Sequence, residues 1–219
     1  MRIGIVGTGA MARALGGAWV RAGHEVLVGG RDAGRAAGAA GDAGGARWGG
    51  VGQAVAHGRD AVLLALPHRA APAVAGAHAR ALAGRTVVDC SNPVAEGFAL
   101  ATGRGPSAAE RIAAAAPGAR VVKAFNLCHA SVWDLRPPVF DGRALAVPLC
   151  GDDDRALATV AALVRDTGCE PLTAGPLERA HLLEAAAALL IGLWVGQGAD
   201  AQAIAPPLAH AGPHGAPHA

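Results

Sequence analysis

The 219-residue sequence contains no tyrosine and a single lysine, Lys123, and only 3% of it is aromatic. A carbonyl reductase that protonates its substrate through a Tyr-Lys pair therefore cannot be built from it. Cysteine is scarce. Cys90, Cys128, Cys150 and Cys169 lie far apart with no Cys-x-x-Cys pair, which excludes a zinc knuckle or a disulfide framework and implies reduced thiols. Excess charge is lacking too: 19 Lys and Arg against 17 Asp and Glu leave +2, without a basic cluster, so no nucleic-acid partner is expected. No apolar run approaches the roughly 18–20 uninterrupted residues of a membrane-spanning helix, so no membrane partner is expected either. The opening Met1-Arg2-Ile3-Gly4-Ile5-Val6 reads as a buried strand rather than a signal peptide, giving a cytoplasmic expectation.

What is present is organised. With 52% apolar residues, the chain is long enough for one compact unit with a small appendage. Short apolar runs at 3–6, 25–28, 61–66, 86–88 and 120–123 have the character of buried parallel strands, and alanine-rich helical stretches separate them. Such alternation predicts βαβ units, hence an α/β fold with a Rossmann-type doubly wound parallel sheet. Beyond it, Leu145 to Leu149, a helix opened by Gly151-Asp152-Asp153-Asp154, an edge strand at Glu170-Pro171-Leu172 and an apolar helix from Pro176 to about Gln197 predict a small C-terminal α/β extension. The expected units are a dinucleotide-binding domain at 1–140, a substrate or dimerisation region at 141–204 and a disordered tail at 205–219. In the tail His210, His214 and His218 recur every fourth residue, but Gly212, Pro213, Gly215 and Pro217 forbid the helix that would align them, so no metal site is expected.

Gly7-Thr8-Gly9-Ala10-Met11-Ala12 fits G-x-G-x-x-G/A between the first strand and the first helix, the context in which the pattern binds a dinucleotide. Gly7 permits the turn, Gly9 lets backbone approach a pyrophosphate, and the helix N-terminus offers N–H groups and a positive dipole end. An NAD site usually carries Asp or Glu at the end of the second strand. Here that strand runs into Gly29-Gly30-Arg31-Asp32, with Arg35 a turn later. Two guanidiniums and small neighbours suit a 2′-phosphate, which favours NADP; the alternative makes Arg31 and Arg35 ordinary surface charges and Asp32 a helix cap.

Loops after the later strands converge on the cofactor in such folds. They are Leu66-Pro67-His68, Ser91-Asn92-Pro93 and Ala124-Phe125-Asn126. Asn92 and Asn126 would hydrogen-bond the ribose or carboxamide, or cap turns. No residue is assigned as catalytic; His68, Asn126 and His129, with Cys128 beside them, are the candidates.

The chain resembles the NADP oxidoreductase family that uses the deazaflavin coenzyme F420, which includes the reductase domain of the STEAP metalloreductases. The resemblance rests on Gly7-Thr8-Gly9, Gly30-Arg31-Asp32, Val87-Val88-Asp89 with Asn92-Pro93, Ser107-Ala108-Ala109-Glu110, Val121 to Asn126, Cys150-Gly151-Asp152-Asp153 and Ala174 to Glu178. It implies NADPH bound by Thr8 to Met11, Gly30, Arg31 and Arg35, with Leu66, Ala70 and Ala130 at the nicotinamide end. It further implies hydride transfer to F420, FMN or FAD as co-substrate, which needs positioning more than an acid or base. Apart from the resemblance, the broad apolar surface of the helix from Pro176 reads either as packing onto the sheet or as a subunit contact, and the latter suggests a homodimer. Two other readings stay open: an NADPH-dependent reductase of a small imine or ketone, and a non-catalytic dinucleotide sensor.

Overall fold

The computed structural model describes residues 1–201 and Ile204; the expected tail and its three histidines lie outside the described residues. In chain order the elements are β1 (Arg2–Val6), α1 (Ala10–Arg21), β2 (Glu25–Gly29), α2 (Ala33–Asp42), β3 (Arg47–Gly49), α3 (Val51–His57), β4 (Ala61–Leu64), α4 (Ala71–Ala77), α5 (Ala79–Leu82), β5 (Thr86–Asp89), α6 (Ala108–Ala115) and β6 (Arg120–Lys123). A hairpin of β7 (Val139–Phe140) and β8 (Arg143–Ala144) then precedes β9 (Ala146–Gly151), α7 (Asp154–Arg165), β10 (Glu170–Gly175) and α8 (Ala180–Ile191). Eight strands form one sheet in the order β10-β9-β6-β5-β4-β1-β2-β3. The chain winds outward from β1 in both directions, so the gap between β1 and β4, at the strands' carboxyl ends, is the topological switch point where such sheets bind ligands.

The local reasons are legible. β1, β4 and β5 are buried on both faces, which is why they read as continuous apolar runs. Alanine-rich helices lie close above and below the sheet and divide the core in two. One half gathers Ile3, Ile5, Leu15, Trp19, Leu63 and Leu163, the other Val6, Val62, Leu64, Leu82, Val87 and Ile112. The Trp19 indole N–H donates to the Leu163 carbonyl, 3.1 Å away, which fastens α1 to α7.

Three expectations change. The sheet is not wholly parallel, because β9 meets β6 antiparallel before β10 resumes parallel pairing with β9. The C-terminal strands thus extend the same sheet. The edge strand β3 was not anticipated; Arg47-Trp48-Gly49 is too short and exposed to show periodicity. The strand expected over 61–66 ends at Leu64, where the Ala65 carbonyl packs against Gly7.

The last helical stretch, Leu177–Gly196, has mean hydropathy 1.3 and is long and apolar enough, by length and composition alone, to cross a membrane. It is not an uninterrupted apolar run, because Glu178, Arg179, His181 and Glu184 break it. The Glu184 carboxylate is fully buried against the sheet. Its Oε1 accepts from Lys123 Nζ at 2.8 Å, and its two oxygens accept the Ala108 N–H at 3.0 Å each. Lys123 donates also to Asp89 Oδ2, at 2.8 Å, and to the Ser91 carbonyl, so all three of its protons are used. Burial alone would lower the Lys123 pKa, but Asp89 and Glu184 outweigh it and raise it, so the ammonium stays charged.

Removing the ammonium leaves two carboxylates buried without a cation. Lys123→Met is expected to lower unfolding free energy by about 3–5 kcal/mol, measured by urea denaturation. A loss below about 1 kcal/mol would show that the network is not structural.

Candidate functional site

The site begins at the turn between β1 and α1. Gly7 has φ +131°, and a Cβ there would lie 2.1 Å from the Ala65 carbonyl oxygen, so no side chain fits. Gly9 is the N-cap of α1, with no side-chain cap, and a Cβ on it would meet nothing within 4 Å. The uncapped N-terminus therefore faces open space, as a phosphate cradle requires. Ala10 is exposed, Met11 half-buried, and Ala12 fully buried under the sheet. Thr8 packs against Gly30, where a Cβ would come 2.8 Å from its methyl carbon.

At the end of β2, the Asp32 carboxylate caps α2 by accepting the Arg35 N–H at 2.7 Å. It is thus spent on the helix. Arg31 and Arg35 are exposed and in no ion pair among the described residues. The cap reading of Asp32 is correct, and it leaves two free guanidiniums with no uncommitted acid beside them.

A cavity of about 600 Å³ opens next to the α1 N-terminus. Of the residues singled out from sequence, it brings together Ala10, Met11, Asn92, Asn126, Cys128, His129 and Ala130. Ile191, Trp194 and Val195, from the end of α8 and the π-helical turn Gly192–Gly196, close it. Leu66, Pro67 and Ala70 do not line it; Leu66 packs on the lower core, and the Pro67 carbonyl accepts the Ala70 N–H at the start of α4. His68 lines a separate recess.

The cavity floor is stiff. Phe125 holds a left-handed backbone, φ +62°, and is wedged edge-on between Trp19 and Trp133, at 5.9 and 5.3 Å. Asn126 and Asn92 pair: Asn126 Nδ2 donates to Asn92 Oδ1 at 3.0 Å and Asn92 Nδ2 to the Asn126 carbonyl at 2.6 Å. Asn126 Oδ1 is buried with no partner. A buried acceptor left unpaired, on a residue that lines the cavity, calls for a partner. On the far wall, Phe98 lies against Gly192 and Gly196, where a Cβ would come within 3.2 and 2.7 Å of its atoms, so this loop seats the turn bearing Trp194.

Two of the candidate acid–base groups, His68 and Cys128, are shifted away from proton transfer near neutral pH. Burial, then Arg69, lowers the His68 pKa, which keeps the imidazole neutral. Burial pushes Cys128 up to about 11 and Cys90 up to about 12. His129 Nδ1 lies 2.9 Å from Ser131 Oγ. Lys123, Asp89 and Glu184, which hold the loops bearing Asn92 and Asn126, were not recognised as a set. The signal was there: one lysine closing an apolar strand and one carboxylate inside an apolar helix each require a buried partner.

A glycine turn at the switch point of a mostly parallel sheet, with free arginines after the second strand, defines the Rossmann class of dinucleotide-binding folds. Within that class, residues 2–93 match the model of the family described as NADP oxidoreductase, coenzyme F420-dependent. The chain is 33% identical over 193 residues to Metalloreductase STEAP3 of Rattus norvegicus, covering 88% of this chain and 38% of that one. It is 32% identical over 145 residues to the F420-dependent NADP reductase of Methanocaldococcus jannaschii, covering 61% of each. The chain thus spans less than two thirds of either curated relative. A crystal structure from Arthrobacter sp. FB24, provisionally assigned there as an F420-dependent NADP reductase, superposes with a TM-score of 0.79 at 27% identity, covering 90% of this chain and 95% of that one.

The raised thiol pKa values predict slow chemistry, because the thiolate is the reactive form. Native protein is expected to react with a disulfide reagent such as DTNB at pH 7.5 at least about tenfold more slowly than protein unfolded in guanidinium. The native rate of Cys128 should climb only as pH nears about 11. Fast native labelling of Cys128 at pH 7.5 would contradict the assignment.

Proposed function

We propose that the protein binds NADPH and passes hydride between NADP(H) and a ring acceptor, a deazaflavin such as coenzyme F420 or a flavin. The observation that carries this reading is the 600 Å³ largely apolar cavity abutting the uncapped α1 N-terminus, whose walls offer the hydrogen-bonding amides of Asn92 and Asn126. Bound there, the nicotinamide would supply the hydride, and the chain's own residues would position and protect it. Thr8 to Met11 would hold the pyrophosphate, and Arg31 and Arg35 the 2′-phosphate, with Gly30 leaving room. Asn126 Oδ1, with no protein partner, would accept a carboxamide N–H, held in place by Asn92. Met11, Ala130, Ile191 and Trp194 would exclude water and give planar rings an apolar wall. Leu66, Pro67 and Ala70 lie outside this cavity and would touch the cofactor only from its rim.

Reduction of a small imine or ketone is the second reading. It requires a proton donor, and His129 is the one imidazole on the cavity wall among the described residues. The two readings part at this residue: His129→Phe should leave turnover of a ring acceptor within about twofold, and abolish an imine reduction that depends on acid catalysis.

The exposed face of α8 and the turn after it, with Leu182, Leu189 and Val195 at 45, 59 and 73% exposure, continues into the wall of the cavity. We assign it to a second copy of the chain, which would complete the site's cover. Light scattering on a size-exclusion column should give a dimer at micromolar concentration; a monomer would sink this assignment.

The decisive assay follows NADPH absorbance with oxidised F420, FMN and FAD supplied separately. Rapid oxidation is expected with at least one, and Arg31→Ala should raise KM for NADPH about tenfold or more while leaving NADH nearly unaffected. NADPH that binds but is oxidised by none of them would overturn the hydride-transfer reading.

A further inference from the structure

Beside the main cavity lies a smaller recess of about 150 Å³, walled in part by His68, Arg69, Thr102 and Arg111. Among the described residues its walls include no carboxylate. Arg69, in the loop after β4, and Arg111, on α6, reach it from different elements, and neither joins an ion pair among the described residues. Arg111 uses its Nε on the Pro106 carbonyl, at 3.1 Å, which fixes the guanidinium while leaving its two terminal nitrogens free of acidic partners. Thr102 is buried, and its hydroxyl has no hydrogen-bond partner. A buried hydroxyl is rarely left so. Glu184, the acid that acts on His68, is engaged by Lys123 and by the Ala108 and Ala109 N–H groups. Burial and then Arg69 lower the His68 pKa and Arg111 adds to them, while Glu184 opposes them and so offsets part of the positive potential of the recess.

His68 connects the recess to the main cavity. Its ring interacts with the backbone of Asn92, and Asn92 lines the larger space. We propose that the recess is a subsite for an oxyanion, a phosphate or carboxylate, borne on the side chain of the acceptor whose ring lies in the main cavity. The guanidiniums of Arg69 and Arg111 would take its oxygens by charge-assisted bonds, the Thr102 hydroxyl would donate a third, and neutral His68 would add contact without charge. The anion's attachment to an acceptor rests on the hydride-transfer reading; the anion site itself does not.

Two measurements separate these parts. In the first, inorganic phosphate is titrated calorimetrically into the protein in a phosphate-free sulfonate buffer at low salt. Arg69→Ala and Arg111→Ala should each weaken binding about tenfold, and Thr102→Val a few-fold. The NADPH dissociation constant, read by nicotinamide fluorescence, reports in parallel that each variant is folded. Phosphate affinity indifferent to all three substitutions would overturn the site. In the second, NADPH oxidation is compared with FMN and with riboflavin, which differ by the phosphate. The wild type should show the lower KM for FMN, and the gap should close in Arg69→Ala and Arg111→Ala with kcat for FMN little changed. An undiminished gap, with phosphate binding lost, would make the recess a free-anion site and overturn its role toward the acceptor. If neither ring is reduced but phosphate binding still needs both arginines, hydride transfer fails and the anion site stands.

Discussion

The arrangement of the site depends on one buried ammonium. Lys123 closes β6 and ties together three segments that are distant in sequence: Asp89 and Ser91 at the end of β5, Glu184 in α8, and through Glu184 the N-terminus of α6. Desolvating three charges is costly, and an apolar set of equal volume would give comparable stability. What the ionic set adds is register. Each carboxylate oxygen has a directional partner, so α8 can dock in only one position along the sheet. That position carries Ile191 and Trp194 to the mouth of the cavity. Asn126 lies three residues after Lys123, and its amide reaches the Leu183 carbonyl, next to Glu184, at 3.1 Å.

Around this tie the molecule places tight backbone where a ligand would be gripped and open space where it would enter. Gly7, Gly29 and Gly30 are crowded from outside, a Cβ on Gly29 falling 2.6 Å from Ala54 Cβ, whereas Gly9 faces solvent. Crowded glycines fix the path of the chain, and the open one leaves room for phosphate. Phe125 stores backbone strain that its two tryptophan neighbours hold in place. A rigid floor, an uncapped helix and an apolar wall suit chemistry limited by the alignment of two rings rather than by a proton. The recess at Arg69 and Arg111 adds charge recognition at a distance from the reacting atoms, where binding strength does not disturb alignment.

Much of this was readable in the residues, and for physical reasons. Strands buried on both faces must be apolar throughout, so β1, β4 and β5 declared themselves; a turn that admits no Cβ must be glycine, so Gly7 did too. The spacing of Arg31 and Arg35 after β2, and the acidic opening of α7 with Asp153 as its cap, are local in sequence and were local in space. The sequence by itself therefore determined the α/β class, the dinucleotide turn and the absence of an acid at the end of β2. It could not determine which distant residues meet. That β9 turns antiparallel against β6, that Asn126 pairs with Asn92 and leaves one oxygen bare, that Glu184 finds Lys123, and that Arg69 and Arg111 share a recess were decided by tertiary structure. The reason is that charge and hydrogen-bond complementarity act through space over a few ångströms, between segments separated by up to 144 residues of chain, and no periodicity along the chain records them.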